Sequence, residues 1–443
     1  MKDCSSKTIL IIAKYPPIQG GVSALVYNTA RNLAKRGNKV HIVTNANEVE
    51  SCYKEIILDS DLKLLKLKCK NGGFVKLHNI SNISNSSFQH IPMSEAYESR
   101  LLGLGIEVIS KINKIDLIIG WYFQPYGIVS SILANKFNIQ HLLIHAGSDI
   151  GRLLHHKNLL YSYKFMVNKA SKIIASKNKT AISHYKKLGV NKKQLEFLKG
   201  GIKTPDYYNY KKTFQIDKYI IKTIEWIDSL KINSYTKLKI LETITNNKIN
   251  KNKITIGIYG KIGSVKGTLE LIKSLEILSI KNIEFNFLQI PLANNDTIEA
   301  YLKELIKHPK VLQNTILLPP LAPWEIPGFI RTCDIVCFLE NNFDIHHTPK
   351  IAMEILSAGS CLFCTNDSID KSFIKDMMVN EINYVRINTQ NFINDLSEKL
   401  IYYSVNHSKR KEIAKLGKYT INKIEESFST DNALADSILK IIE

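Results

Sequence analysis

Residues 8–44 read TILIIAKYPPIQGGVSALVYNTARNLAKRGNKVHIVT, and four textures follow one another in that stretch. Thr8 to Ala13 is an unbroken apolar run of buried-strand length. Tyr15-Pro16-Pro17-Ile18-Gln19-Gly20-Gly21 is turn chemistry. From Val22 to Arg36, apolar Val22, Leu25, Val26, Ala30, Leu33 and Ala34 recur at helical spacing, and Gly37 suits the left-handed backbone that closes a helix. Val40 to Thr44 is a second strand. Strand, helix, strand is a βαβ unit, whose crossover requires parallel strands.

The same texture continues outward. Ile115 to Gly120, Gln140 to His145 and Lys172 to Ser176 read as strands, and Tyr126 to Asn135 as a helix. Residues 51–99 are weakly patterned and rich in Asn and Ser, which predicts loops with short strands. A second unit of the same kind opens at Lys253: strand Ile254 to Tyr259, a loop Gly260-Lys261-Ile262-Gly263-Ser264-Val265-Lys266-Gly267, then helical spacing over Thr268 to Leu278. Phe285 to Ile290, Thr315 to Leu318 and Asp334 to Leu339 continue it as strands. The expected architecture is therefore α/β with two Rossmann-like domains, over 1–205 and 253–408. Residues 206–252 would be a linker with a helical elaboration, and 409–443 closing helices that pack back on the first domain.

Composition narrows the class. The 443 residues exceed one ordinary domain, and 44% hydrophobic with 23% charged residues is globular usage rather than disorder. The longest apolar run, near Leu117 to Phe123, is about half of what a spanning helix needs. The run Thr8 to Ala13 is too short for a signal core, so a cytoplasmic protein is expected. Seven cysteines are too few for a disulfide scaffold. Cys333/Cys337 and Cys361/Cys364 have zinc-like spacing but sit in apolar runs, where small hydrophobes are expected and no metal site is assigned.

Charge is lopsided. Residues 1–205 hold 30 basic and 12 acidic residues, a surplus of 18, whereas 206–443 hold 30 and 28, a surplus of 2. A compositional bias of the genome would raise both halves, so the first half is expected to meet an anionic partner. Nucleic acid is not expected, because no zinc-finger, RRM or basic-zipper pattern is present. Gly151 to Ala170 is a candidate basic amphipathic surface, with core packing as its alternative.

Four constellations carry chemistry. Gly20-Gly21 opens a helix, where glycine admits a close ligand and free N–H groups favour an anion; the pair is equally a good turn. Lys261 and Lys266 share one loop with Gly260, Gly263 and Gly267, and two ammonium groups there suit a diphosphate leaving group; solvated loop lysines are the alternative. In Thr348-Pro349-Lys350-Ile351-Ala352-Met353-Glu354, Thr348 is an N-cap and Pro349 a first-turn residue, so a second helix start can meet an anion beside His346-His347. Glu354 in its apolar helix needs partners, either ligand hydroxyls or Lys350 four residues earlier. His145-Ala146-Gly147-Ser148-Asp149 ends a strand, where ligands of open α/β sheets gather.

In this order, YPPIQGGVSALVYNTARNLAKRGNKVHIVT, HAGSD, GKIGSVKG and TPKIAMEILSAG resemble the retaining family-4 glycosyltransferases of the GT-B fold. The resemblance covers most of the chain except roughly 46–100 and 206–250. It implies two Rossmann-like domains facing a cleft, with the C-terminal helix crossing back. It also implies transfer of a sugar from a UDP- or GDP-linked donor to an acceptor, with retention and no essential metal or cofactor. Gly20 and Gly21 would border the donor diphosphate and acceptor, and His145 the donor sugar and reacting centre. Lys261 and Lys266 would hold the diphosphate and Glu354 the ribose hydroxyls. Gly260, His346, Thr348, Pro349 and Lys350 would complete the donor site, while Gly21, His145, Ser148 and Asp149 would face the acceptor.

Two positions depart from the family. Lys261 stands where it usually carries Arg, which loses the bidentate fork for phosphate, and His346 replaces the first Glu of its E-x7-E motif. These changes imply an altered donor choice, or weak or lost activity. The pathway implied is bacterial cell-surface polysaccharide or glycolipid assembly. Its acceptor would be a saccharide, protein or lipid-linked molecule, and an anionic membrane surface would meet the basic half. A nucleotide-sugar 2-epimerase, or a non-catalytic GT-B subunit scaffolding a partner enzyme, are the alternatives.

Overall fold

The computed structural model describes residues 6–80, 93–145, 150, 154, 156–175, 179–198, 203–210, 214–245, 247–342, 350–427 and 433–442. The chain forms two compact units. The first comprises Met1–Val49, Ile57–Lys203 and Phe428–Glu443, and the second Glu50–Ile56 and Thr204–Ser427.

The first unit runs β1 (Thr8–Ile12), α1 (Gly21–Lys35), β2 (Lys39–Thr44), β3 (Leu67–Lys68), β4 (Phe74–Asn79), α2 (Met93–Ser110), β5 (Leu117–Trp121), α3 (Ile128–Phe137), β6 (His141–Ile144), α4 (Lys157–Lys169), β7 (Lys172–Ala175), α5 (Lys179–Lys187) and β8 (Leu195–Phe197). Its eight strands lie in the order β3-β4-β2-β1-β5-β6-β7-β8, parallel except for β3. The register sets Ile9 beside Val40 on one side and Leu117 on the other. Helices cover both faces of such a sheet, so its strands read as unbroken Ile, Leu and Val runs. Ile9 through Ile12 are all fully buried.

The second unit runs α6 (Ile216–Ser229), α7 (Ser234–Ile244), β9 (Ile254–Lys261), α8 (Thr268–Ile280), β10 (Phe285–Leu292), α9 (Asn295–Ile306), α10 (Pro309–Gln313), β11 (Thr315–Leu317), α11 (Ile326–Thr332), β12 (Ile335–Phe338), α12 (Lys350–Ala358), β13 (Cys361–Thr365), α13 (Asn366–Asp370), β14 (Val385–Ile387), α14 (Phe392–Val405) and α15 (His407–Glu426). Its six strands are ordered β11-β10-β9-β12-β13-β14, all parallel. Cys333, Cys337, Cys361 and Cys364 are buried in or beside β12 and β13. Burial pushes the Cys361 thiol up to about 12, as for a packed hydrophobe rather than a nucleophile.

Three stretches differ from the sequence reading in detail. Residues 51–99 contain β4, paired in parallel with β2, and the start of a long helix, α2. Residues 206–252 are more than a linker: α6 and α7 send Trp226, Ile227, Leu230, Ile240 and Ile244 into the core of the second unit. Residues 409–443 divide. α15 packs on α12 and β13 of the second unit, while the last helix, α16 (Ala433–Ile442), packs on α1 of the first. Arg36 and Asp436 pair there at 2.7 Å. Among the described residues, no helix is long and apolar enough to cross a membrane.

Candidate functional site

In each sheet the chain starts at an interior strand, winds to one side and then to the other. Two neighbouring strands therefore have connections leaving on opposite faces, and a crevice opens at their carboxyl ends. In the second unit this point lies between β9 and β12, and in the first between β1 and β5.

The lysine loop lies at the crevice of the second unit. β9 ends at Lys261, and Gly260, Gly263 and Gly267 all take positive φ, at 108°, 144° and 65°. This backbone folds residues 264–266 into one tight turn, with the Lys266 amide donating to the Gly263 carbonyl at 3.0 Å. α8 then starts at Thr268, its amino end turned into the loop. Gly267 admits no side chain, because a Cβ there would lie 2.4 Å from the Leu339 carbonyl oxygen. Gly267→Ala is therefore expected to cost at least about 2 kcal/mol, read from the urea midpoint, by combining left-handed strain with that overlap. An unchanged midpoint would show that the loop is not built as described.

The carboxyl end of β12 supplies a residue that sequence reasoning missed. The Lys266 ammonium pairs with the Glu340 carboxylate, and both side chains are largely buried. The Glu340 carbonyl accepts from the Thr365 and Ser368 hydroxyls, which fixes the backbone beneath it. The Asn341 amide donates to the Val265 carbonyl at 3.1 Å, tying this segment to the lysine turn. The available signal was an acid directly after the buried run Ile335 to Leu339. Lys261, at the strand tip, is exposed.

α12 forms the other wall. Gly260 approaches it so closely that a Cβ would lie 3.1 Å from Ile351 Cδ1. Glu354 accepts a 2.8 Å hydrogen bond from the Tyr259 hydroxyl and another from the Tyr208 hydroxyl. Burial raises the Glu354 carboxyl above its ordinary value against the pull of these donors and of Lys350, and burial lowers the Lys350 ammonium. Glu354 is thus not simply a surface acid paired with Lys350. Tyr208 and Tyr259 are further residues not singled out from the sequence; Tyr259 precedes Lys261 by two, the spacing that puts both on one side of β9.

In the first unit, Gly20 takes φ 119° and Gly21 begins α1. A Cβ at either would meet nothing within 4 Å among the described residues, so there is room in front of the helix. His145 follows β6, and its amide donates to the Ile174 carbonyl at 3.0 Å. Its ring meets Phe123 and Tyr185 edge-on, with centroids 5.9 and 5.7 Å away. Tyr122, at the end of β5, holds φ 82°, a strained value for a bulky residue at a strand tip.

The structure therefore gathers Gly260, Lys261, Lys266, Lys350 and Glu354 around the crevice of the second unit, and puts Gly20 and Gly21 at the start of α1 and His145 at the end of β6 in the first. Ser148, Asp149, His346, Thr348 and Pro349 lie outside the described residues. Among the described residues, no three His, Cys, Asp or Glu side chains converge to hold a metal ion.

No protein-family model matches the chain. A segment of 166 residues is 27% identical to an uncharacterized glycosyltransferase of Methanocaldococcus jannaschii, covering 38% of this chain and 39% of that relative. The chain thus spans about two fifths of the length of the curated relative it matches. Likeness to solved structures extends over nearly the whole chain. WaaG, a glycosyltransferase involved in lipopolysaccharide biosynthesis, matches with a TM-score of 0.56 at 14% identity, over 98% of this chain and 99% of its own. HepE of Anabaena, solved in complex with UDP-glucose, matches with a TM-score of 0.54 at 13% identity, over 98% of both chains. The fold is that of GT-B glycosyltransferases, an α/β architecture with two parallel-sheet Rossmann-like units.

Proposed function

We propose that the protein is a glycosyltransferase of the hexosyl-transferring type, taking its sugar from a UDP- or GDP-linked donor and retaining the anomeric configuration. The observation that carries this reading is the glycine loop with Lys261 and Lys266 at the crevice between β9 and β12, walled by α12 with Glu354. When a nucleotide diphosphate departs, negative charge grows on its phosphate oxygens. Two ammonium groups and the amino end of α8 stabilise that charge without a metal ion, in a partly water-excluded site.

In this reading Lys266 exchanges Glu340 for the diphosphate, and Lys261 meets it from the strand tip. Gly260, His346, Thr348, Pro349 and Lys350 complete the donor pocket. Glu354, held by its two tyrosines, presents its remaining acceptor capacity to the ribose hydroxyls. His145 and Gly20-Gly21 serve the donor sugar and reacting centre, and Gly21, His145, Ser148 and Asp149 the acceptor. The acceptor is a saccharide, protein or lipid-linked molecule of bacterial cell-surface polysaccharide or glycolipid assembly, met on the cytoplasmic side.

A thermal-shift panel of UDP, GDP, their sugars and the free nucleosides tests the donor site. A ligand present at about a hundred times its Kd raises stability by about 2.7 kcal/mol. One nucleotide diphosphate should raise the melting temperature, and its nucleoside should not. A flat panel would remove the reading. Incubating a radiolabelled donor without acceptor separates transfer from epimerisation, because only an epimerase converts it alone.

A further inference from the structure

We propose that the outer faces of α4 and α5 dock the first unit on the surface of an anionic lipid bilayer. This inference stands apart from the transferase reading and uses none of its site residues.

From Ile150 to Leu195 the sequence holds 11 Lys or Arg and not one Asp or Glu. α4 and α5 follow adjacent strands, β6 to β7 and β7 to β8, and both crossovers step the same way. Right-handed connections place them on one face of the sheet. They share one hydrophobic cluster beneath them, α4 through Tyr163, Met166 and Val167, and α5 through Ala181, Tyr185 and Leu188. Gly151 to Ala170 thus contains both of the alternatives read from the sequence: one side of α4 is core and the other is surface.

That surface is not simply polar. Tyr161 is 64% exposed, Phe165 42% and Ile182 40%. Tyr161 and Phe165 are four residues apart, on one stripe of α4. Exposed Lys169 follows Phe165 by four on α4, exposed Lys186 follows Ile182 by four on α5, and Lys187 is exposed beside it. Apolar side chains raised from a basic segment that carries no acid of its own are what an anionic bilayer accommodates. Rings enter the headgroup boundary while ammonium groups stay with the phosphates. A nucleic acid would take the charge but gives no burial to an aliphatic residue such as Ile182.

The test is co-sedimentation of the full chain with phosphatidylcholine vesicles and with vesicles of equal parts phosphatidylcholine and phosphatidylglycerol, at low and raised salt. Binding is expected only with phosphatidylglycerol and should weaken with salt. Each lysine near such a surface is worth about fivefold in binding. Lys169→Gln/Lys186→Gln/Lys187→Gln should therefore bind on the order of a hundredfold more weakly. Tyr161→Ser/Phe165→Ser should also weaken binding with the melting temperature unchanged, since both side chains are exposed. Lys411→Gln/Lys415→Gln, on exposed positions of α15 in the second unit, should bind like the parent. Equal binding to both vesicles, full binding by the triple variant, equal loss in the α15 control, or capture of duplex DNA with no vesicle binding would each overturn the proposal. Nucleotide thermal shifts in the triple variant should be unchanged, so failure here and failure of the transferase reading are told apart.

Discussion

Lys266→Ala is expected to lower the rate of sugar transfer by about two to three orders of magnitude. Removing one fixed donor of charge from a site where an oxyanion develops typically costs that much, and Lys266 is the loop cation held nearest the body of the protein. Its partner complicates the experiment. Lys266 neutralises Glu340, and removing one member of a buried ion pair strands the other at about 3–5 kcal/mol. Lys266→Ala alone therefore threatens the fold as well as the chemistry. The double change Lys266→Met/Glu340→Gln removes both charges and should restore the urea midpoint while leaving transfer just as slow. If the double variant transfers at the parental rate, Lys266 has no part in the reaction. Glu354→Ala should depress transfer too, but by way of donor KM, because its partner in this reading is the ribose and not the departing phosphate.

The first unit should be acid-labile through His141. This residue is 1% exposed on β6, with its Nε2 2.8 Å from the Ser130 hydroxyl oxygen. That hydroxyl already donates to the Gly127 carbonyl at 2.9 Å, so Nε2 must carry the hydrogen of the neutral ring. Nδ1 then has no partner among the described residues. A second proton would bring a buried cation with no acceptor, and burial lowers the ring to about 3. On β2 and β4, paired with each other farther along the same sheet, His41 Nδ1 and His78 Nε2 stand 3.0 Å apart. His41 is lowered to about 4 and His78 is lowered too, first by burial and then by surrounding positive charge.

A histidine whose folded value lies below its unfolded one contributes stability at neutral pH. That stability is lost as pH falls from the unfolded value, about 6.5, toward the folded one. For His141 the loss by pH 4 is about 3 kcal/mol. It should appear as the difference between parent and His141→Gln in urea unfolding at pH 7 and pH 4. Carboxylates titrating elsewhere move both proteins alike, so parallel curves would exclude this role for His141.

Most of the fold could be read from residue order because the central strands are buried on both faces. Runs such as Ile254 to Tyr259 have no competing interpretation. β4 was harder, since Phe-Val-Lys-Leu-His-Asn is half polar and lies toward the sheet edge with only Val75 deeply buried. The amino end of α2 was hidden by the polar stretch before it, and its own Gly103 and Gly105 weaken helical propensity. Within the site, glycines and lysines are legible because few other residues take positive φ or carry an ammonium. What they touch is not. Glu340 and Tyr208 lie 74 and 146 residues from the partners they serve, Lys266 and Glu354, and no local pattern ties positions so far apart.

The route of the chain has a practical consequence for dissection. The backbone passes from one unit to the other after Val49, Ile56, Lys203 and Ser427. No single cut can separate the two units whole. A clone starting at Thr204 forfeits the short excursion Glu50–Ile56, and with it the 2.7 Å bond from the Ile56 amide to the Pro320 carbonyl and the Lys231–Glu50 pair at 3.1 Å. A clone stopping at Lys203 leaves the α1 surface without α16. Producing the second unit alone calls for grafting that heptapeptide back, or supplying it in trans.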